Sequence, residues 1–420
     1  MGVPITGERG RMTEAPAPVR PVARAGGAPP AAGPATITTR RRPGYLGAVS
    51  IAQVLLAEAF VVAVVALLTR GWAVVAAAVL VGGVVLVFAF GRFEGRWWTE
   101  RAVMRWRFRR RRGPGLGAAD DQRLSALRAL APELDVRNVV GQDGTSVGVG
   151  QDAAGWFAAV AVSLPGGIRG DALSSIPLDR LARSLAEEPG AILQLVIHTI
   201  PAPSAEVDAR HRCTTSYREL LESHGAVPAS QTVWVVVRLD ADTLAESINQ
   251  ADGFGQAPAL AAALARRIGR ALSRAGLVPQ VLEADGLLDA LARSCDLEKP
   301  APGSAPPVAA EHWQAWASAR LVQVCFWVRG WPKPAGVGAL IGRLVSVSAA
   351  MTSVAIVLEP RPDGTDVRCL VRVAARTAAI ADACRAVREA ADRGGAQLFR
   401  LDGEQAAAVY ASAPTGGGMG

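Results

Sequence analysis

Residues 140–150 hold the chain's most suggestive chemistry, because Gly141, Gly144, Gly148 and Gly150 crowd into eleven positions. A phosphate cradle needs such glycines where a loop opens a helix, so that backbone N–H groups converge on the anion. It also needs a closing Gly-Lys-Ser/Thr, which is missing here, and the segment leads into a strand-like run. Gly144-Thr145-Ser146-Val147-Gly148 also fits G-x-S-x-G. That motif works only on a tight strand-to-helix turn that lifts the serine above a sheet. Ser146 would instead lie inside a hairpin strand, with His198 and His224 as candidate bases. A glycine-punctuated β-meander is the better reading of both patterns.

The four histidines (His198, His211, His224, His312) lack metal-ligand spacing. No G-x-G-x-x-G opens a helix after a strand. Glu187-Glu188 and Asp120-Asp121 fall at helix ends or in loops, where carboxylates are solvated. Asp240, Asp285 and Asp402 sit near strand ends and are the residues that could hold a divalent cation in a tethered enzyme. The five cysteines (Cys213, Cys295, Cys325, Cys369, Cys384) are odd in number and widely spaced, which suits reduced, buried thiols. Neither a catalytic set, a cofactor nor a metal is expected.

The elements that would carry any chemistry explain more. Two apolar runs, residues 44–68 and 72–90, are separated by Thr69-Arg70-Gly71. About 20 helical residues span bilayer hydrocarbon, so the expectation is a transmembrane hairpin. A soluble helix pair would rarely tolerate so continuous an apolar stretch. Seven arginines precede the hairpin, nine follow it between Arg92 and Arg112, and the turn holds only Arg70. The positive-inside rule then places both ends in the cytoplasm. An apolar core beginning near residue 44 is too late and too long for a signal peptide.

The overall charge of +8 is thus juxtamembrane. Residues 113–420 carry more carboxylates than cations, which argues for anionic lipid headgroups and against nucleic acid as partner. Trp97, Trp98, Trp106, Arg109, Arg110, Arg111 and Arg112 are the candidate headgroup contacts. Phe93, Trp97, Met104 and Phe108 share one helical face and would lie at the same boundary, or the segment is a plain stop-transfer anchor. Glu58 is costly in mid-membrane. With Gly82 and Gly83, which permit close helix approach, it is the candidate contact with another membrane subunit. A proton relay, or a protonated Glu58 facing lipid, are the other readings.

The fold class expected is membrane-anchored α/β: a disordered cytoplasmic tail (1–43), the hairpin (44–90), a basic segment (91–117), and two cytoplasmic α/β subdomains (118–298 and 311–420) joined by a Pro/Ala linker (299–310). Val/Ile/Leu strands are expected at 136–140, 146–150, 156–164, 192–200, 232–239, 278–282, 320–328, 352–359, 366–375 and 396–401, with hairpin turns at Asp143-Gly144 and Ala154-Gly155. Helices are expected at 178–187, 258–275, 287–294 and 378–393, ending at 217–221, and starting near Glu404. The strands and helices together indicate a sheet covered by helices. Each subdomain shows an apolar strand ending in Arg-Leu (238–239) or Arg-Val (372–373), then helix, short strand, Asp-Gly (285–286 and 402–403) and helix. Shared β-α-β grammar without common ancestry would look the same.

Leu401-Asp402-Gly403-Glu404-Gln405, Val409-Tyr410-Ala411 and Ala413-Pro414-Thr415-Gly416-Gly417-Gly418 resemble the end of the EccE family, membrane components of type VII (ESX) secretion systems. Ser216-Tyr217-Arg218-Glu219-Leu220, the Trp-rich 311–332 region and the two-helix anchor fit that layout over residues 40–420; the preceding tail has no counterpart. The resemblance implies a non-catalytic structural subunit in the cell membrane beside EccB, the ATPase EccC and EccD, with its domain cytoplasmic. The alternatives are a membrane-tethered enzyme, for instance one using a nucleotide-linked sugar, and a ligand sensor.

Overall fold

The computed structural model describes residues 45–46, 49–93, 96–111, 121–141, 144–163, 176–201, 230–247, 253–297, 309–318, 320–361 and 364–418, with Ser216 and Glu219. The expected tail, Arg112, His211, His224 and most of the linker and of the helix end at 217–221 lie outside them. At Trp97, Trp98, Arg110 and Arg111 only the backbone is described.

The apolar runs form two antiparallel helices, α1 (Ile51–Leu67) and α2 (Trp72–Phe90), linked by a 3-10 turn at Leu68–Arg70. Gly71, at φ 99°, supplies the left-handed residue that starts the return. The first run is helical over less than its apolar length, because β1 (Tyr45–Leu46) pairs with β2 (Val49–Ser50) before α1 begins. Pro43, Gly44 and Gly47 are poor helix formers. Among the described residues no helix is long and apolar enough to cross a membrane. The 17 residues of α1 and 19 of α2 reach about 25 and 28 Å at the helical rise. After α2, β3 (Arg92–Phe93) pairs with β4 (Arg96–Trp97), and α3 (Trp98–Arg111) follows.

The rest is α/β, built on one antiparallel sheet of twelve strands: β5 (Asp135–Val140), β6 (Ser146–Asp152), β7 (Gly155–Ser163), β8 (Ala191–Ile200), β9 (Ser230–Asp240), β10 (Val278–Val281), β11 (Ala310–Glu311), β12 (Trp316–Ala317), β13 (Val322–Gly330), β14 (Met351–Arg361), β15 (Gly364–Ala375) and β16 (Gln397–Arg400). The helices are α4 (Gln122–Leu127), α5 (Leu178–Leu185), α6 (Ala241–Ser247), α7 (Gly253–Arg274), α8 (Ala284–Cys295), α9 (Val337–Val345), α10 (Ile380–Arg393) and α11 (Gln405–Ala411). The expected strands are all present within a residue or two. The glycine-rich α9, with four buried residues, was not foreseen.

The path of the sheet is β11-β12-β13-β15-β14-β8-β9-β7-β6-β5, with β16 on β13 and β10 on β7. Two units with one order emerge. The first runs β7-α5-β8-β9-α7-β10 and lies β10-β7-β9-β8; the second runs β13-α9-β14-β15-α10-β16 and lies β16-β13-β15-β14. Each is a split β-α-β pair, the ferredoxin-like order. They join edge to edge where β8 pairs antiparallel with β14, Val196 opposite Ala355.

Because strand side chains alternate faces, the sheet separates two cores. One face carries Val160, Leu193, Leu195, Val235, Val354 and Val371 under α5, α7, α9 and α10. The other carries Phe157, Val196, Trp234, Val236, Ala355 and Leu370 under α4, α8 and α11. Both faces are covered, so the strands read as continuous apolar runs instead of alternating ones. In α7, Ala257, Ala261, Leu264, Ala265, Ile268 and Leu272 form the helical stripe that meets the sheet, and Pro258 lies inside the helix, in its second turn.

Candidate functional site

In the hairpin, Gly82 is already used within the chain: a Cβ there would stand 1.8 Å from the Phe60 ring. A Cβ on Gly83 would meet nothing within 4 Å. Glu58 is exposed. The hairpin side chains Val61, Val62, Val65, Leu80, Val81 and Val87 are also exposed, and Trp72 is 86 % exposed.

Helix α3 differs from the boundary helix expected. Met104 and Phe108 do not face outward with Trp106, because Phe108 is buried edge-on to Trp313, ring centroids 5.5 Å apart. The guanidiniums of Arg101 and Arg105 lie 5.9 and 5.5 Å from the same indole. Positions 101, 104, 105 and 108 make one helical face. The receiving surface is shaped by Gly403 (φ 78°), whose N–H donates to the Trp313 carbonyl at 2.6 Å. A Cβ at Gly403 would come within 2.6 Å of the indole and 3.1 Å of Met104 Cγ. Trp106, 54 % exposed, lies on the opposite face, and Arg109 is exposed one turn beyond Arg105.

The residues singled out for catalysis are dispersed into structural roles. Ser146 opens β6, paired with Val140. Asp240 accepts from Thr243 N at 2.9 Å and begins α6. Asp285 pairs with Arg123 at 2.6 Å, and Asp402 with Arg400, also at 2.6 Å. Arg123 and its backbone N–H hold the Asp121 carboxyl down to about 2, against slight burial. Among the described residues no three His, Cys, Asp or Glu side chains converge on a metal site. Burial pushes the Cys325 and Cys369 thiols up to about 12.

Two fully buried arginines form the polar heart of the domain. Arg238 in β9 lies opposite Phe157 and Ile192, and Arg372 in β15 opposite Cys325 and Ser353. They occupy the same place in the two units, and each is gripped by the closing helix of the other. Arg238 pairs with Asp152 and donates to the Thr415 carbonyl at 2.8 Å, just past α11. Tyr410 donates to the same carboxylate at 2.8 Å, and burial, followed by that neighbouring charge, drives its phenol pKa well above the ordinary value. Gln194 completes the clamp, donating to Ala411 O at 2.8 Å and accepting from Gly416 N at 2.7 Å. Arg372 donates to Ser294 Oγ, at the carboxyl end of α8, at 2.8 Å, to Gln323 Oε1 at 3.0 Å and to Ser353 Oγ at 3.1 Å. The partial negative charge of the helix terminus stands in for the missing carboxylate. Ser353 also bonds His198 Nδ1 at 2.9 Å, and burial followed by Arg372 lowers the imidazole to about 3.

The Arg238 contacts use the closing motif 401–418, of which 405–417 are buried apart from the half-buried Ala407. Sequence reasoning singled out the motif and the Arg-Leu and Arg-Val strand ends, without linking them. A charged residue inside an apolar strand, repeated in two similar segments, was the available signal. Trp313 gave none beyond its Trp-rich surroundings.

Residues 227–328 match the family model described as "Putative type VII ESX secretion system translocon, EccE". Over that segment the chain is similar to EccE. The match runs from β9 to β13, so it takes in Arg238, α7, α8 and Trp313, and crosses from the first unit into the second. No curated protein matches the chain.

Proposed function

We propose that this chain is a non-catalytic structural subunit of the inner-membrane complex of a type VII (ESX) secretion system, anchored by α1 and α2 with both ends cytoplasmic. The EccE match over 227–328 carries the reading. The exposed apolar surface of the hairpin supports the anchor. Helices a few ångströms shorter than the hydrocarbon are accommodated by local thinning and by flanking Trp and Arg side chains. Trp106 and Arg109, exposed on α3, with Trp97, Trp98, Arg110, Arg111 and Arg112, are the headgroup contacts. Glu58 and Gly83 are the contact with another membrane subunit, Gly82 being occupied by Phe60. The partners are the counterparts of EccB, EccC and EccD. Asp240, Asp285 and Asp402 are committed to caps and ion pairs, which favours a scaffold over a tethered enzyme.

The tagged chain, extracted from native membranes in mild detergent, is expected to bring those subunits down in stable proportion by mass spectrometry. Recovery of a lone chain, with secretion intact in a deletion strain, would defeat the proposal.

A further inference from the structure

We propose that the outer edge of β5, with the arginines beside it, docks an extended acidic segment of a partner polypeptide. β5 ends the twelve-stranded sheet, and among the described residues no strand pairs with its outer edge. A six-residue strand with unpaired N–H and C=O groups is a template for another strand. Proteins normally blunt such an edge, yet this one displays Val140 at 68 % exposure. Beyond the hairpin, only Trp106, Val140 and Val278 are large, hydrophobic and exposed among the described residues. Such a residue on an open edge is where an incoming chain would be held.

Charge selects the chemistry of that chain. Arg137 is exposed on β5, on the strand face shared with Val139, which packs on the core under α7. In α7, Arg266 reaches the hairpin tip, donating to Thr145 Oγ1 at 3.4 Å. Arg270 and Arg274 continue the same helical stripe at i+4 and i+8, where like charges repel. No carboxylate among the described residues pairs with Arg137, Arg270 or Arg274. Arg267, on the neighbouring row, is answered by Glu188 at 3.2 Å. An extended segment alternating carboxylates with small apolar residues matches all of this: backbone to β5, apolar side chains to Val140, carboxylates to the arginines. The reading goes beyond the secretion-complex role and does not depend on it.

The test uses the full chain in detergent micelles and two synthetic octapeptides, alternating Glu-Val and Lys-Val. The Glu-Val peptide is expected to bind saturably, more weakly as salt rises, and to slow amide hydrogen exchange across 136–140. Reversing Arg137, Arg270 and Arg274 together to Glu, at exposed positions that leave folding intact, should weaken it about tenfold. Val140→Asn, which removes the apolar contact without adding charge, should weaken it further. Absent binding, equal binding of the Lys-Val peptide, or binding without exchange protection at β5 would each overturn the proposal. So would affinity unchanged in the charge-reversed chain. Binding of anionic vesicles through the same arginines, unaffected by Val140→Asn, would reassign them to lipid.

Discussion

The two buried arginines differ in a way that substitution can expose. Arg238 has a carboxylate in Asp152, whereas Arg372 has only neutral acceptors and a helix terminus. Removing one partner of a buried ion pair strands the other, at a cost of about 3–5 kcal/mol. Arg238→Met, which strands Asp152, is therefore expected to lower the urea midpoint of the full chain in micelles more than Arg372→Met. Parity would mean that Asp152 stabilises little. His198 gives a pH signature. Its pKa falls from the usual 6.5 to about 3 on folding, so protonation favours the unfolded state. Its contribution is complete above 6.5 and is lost progressively as pH drops toward 3. His198→Gln should flatten the decline of the unfolding midpoint between pH 6.5 and 4, and an unchanged slope would contradict the assignment.

At the scale of elements, the docking of α3 decides how the hairpin connects to the domain. Trp313 receives Phe108, Arg101 and Arg105, and Gly403 leaves room for it. Trp313→Ala is expected to cost about 3–5 kcal/mol if the site cannot collapse, and to make α3 protease-sensitive before the sheet unfolds. Gly403→Val adds both a clash and a strained φ, and should release α3 in the same assay. In the hairpin, Gly82→Leu is expected to drive α1 and α2 apart, read as a lower distance-probe signal between the helices, while Gly83→Leu leaves that spacing alone. Equal effects would mean that the Phe60 contact does not set the helix separation.

For the whole molecule, the closing segment is the decisive piece. Residues 405–417, buried apart from the half-buried Ala407, bond to the first unit through Gln194, Arg238 and Asp152. Truncation after residue 404 therefore removes α11, which covers part of the second core, and leaves Arg238 and Asp152 open to water. The truncated chain is expected to lose cooperative unfolding throughout, not only near its end. A cooperative transition with a nearly unchanged midpoint would show the tail to be dispensable. Orientation is tested separately: a reporter fused after Gly420 should be inaccessible from outside intact cells.

Strand positions, the Ala154-Gly155 turn and most helices were legible in the chain, since apolar period and turn chemistry are local. The repeat of strand, helix, strand, Asp-Gly, helix was legible too, and it maps onto the matching order of the two units. Other features needed the tertiary structure. Phe108 and Met104 have the pattern of a membrane-boundary face, and only the folded position of Trp313 turns that face toward the domain. Arg238 and Arg372 could be noticed along the chain, but their partners lie 177 and 78 residues away at Thr415 and Ser294. Periodicity tells a side chain which face of its own element it occupies. Which other element covers that face is settled only when distant segments pack, because burial free energy depends on the neighbour and not on spacing along the sequence.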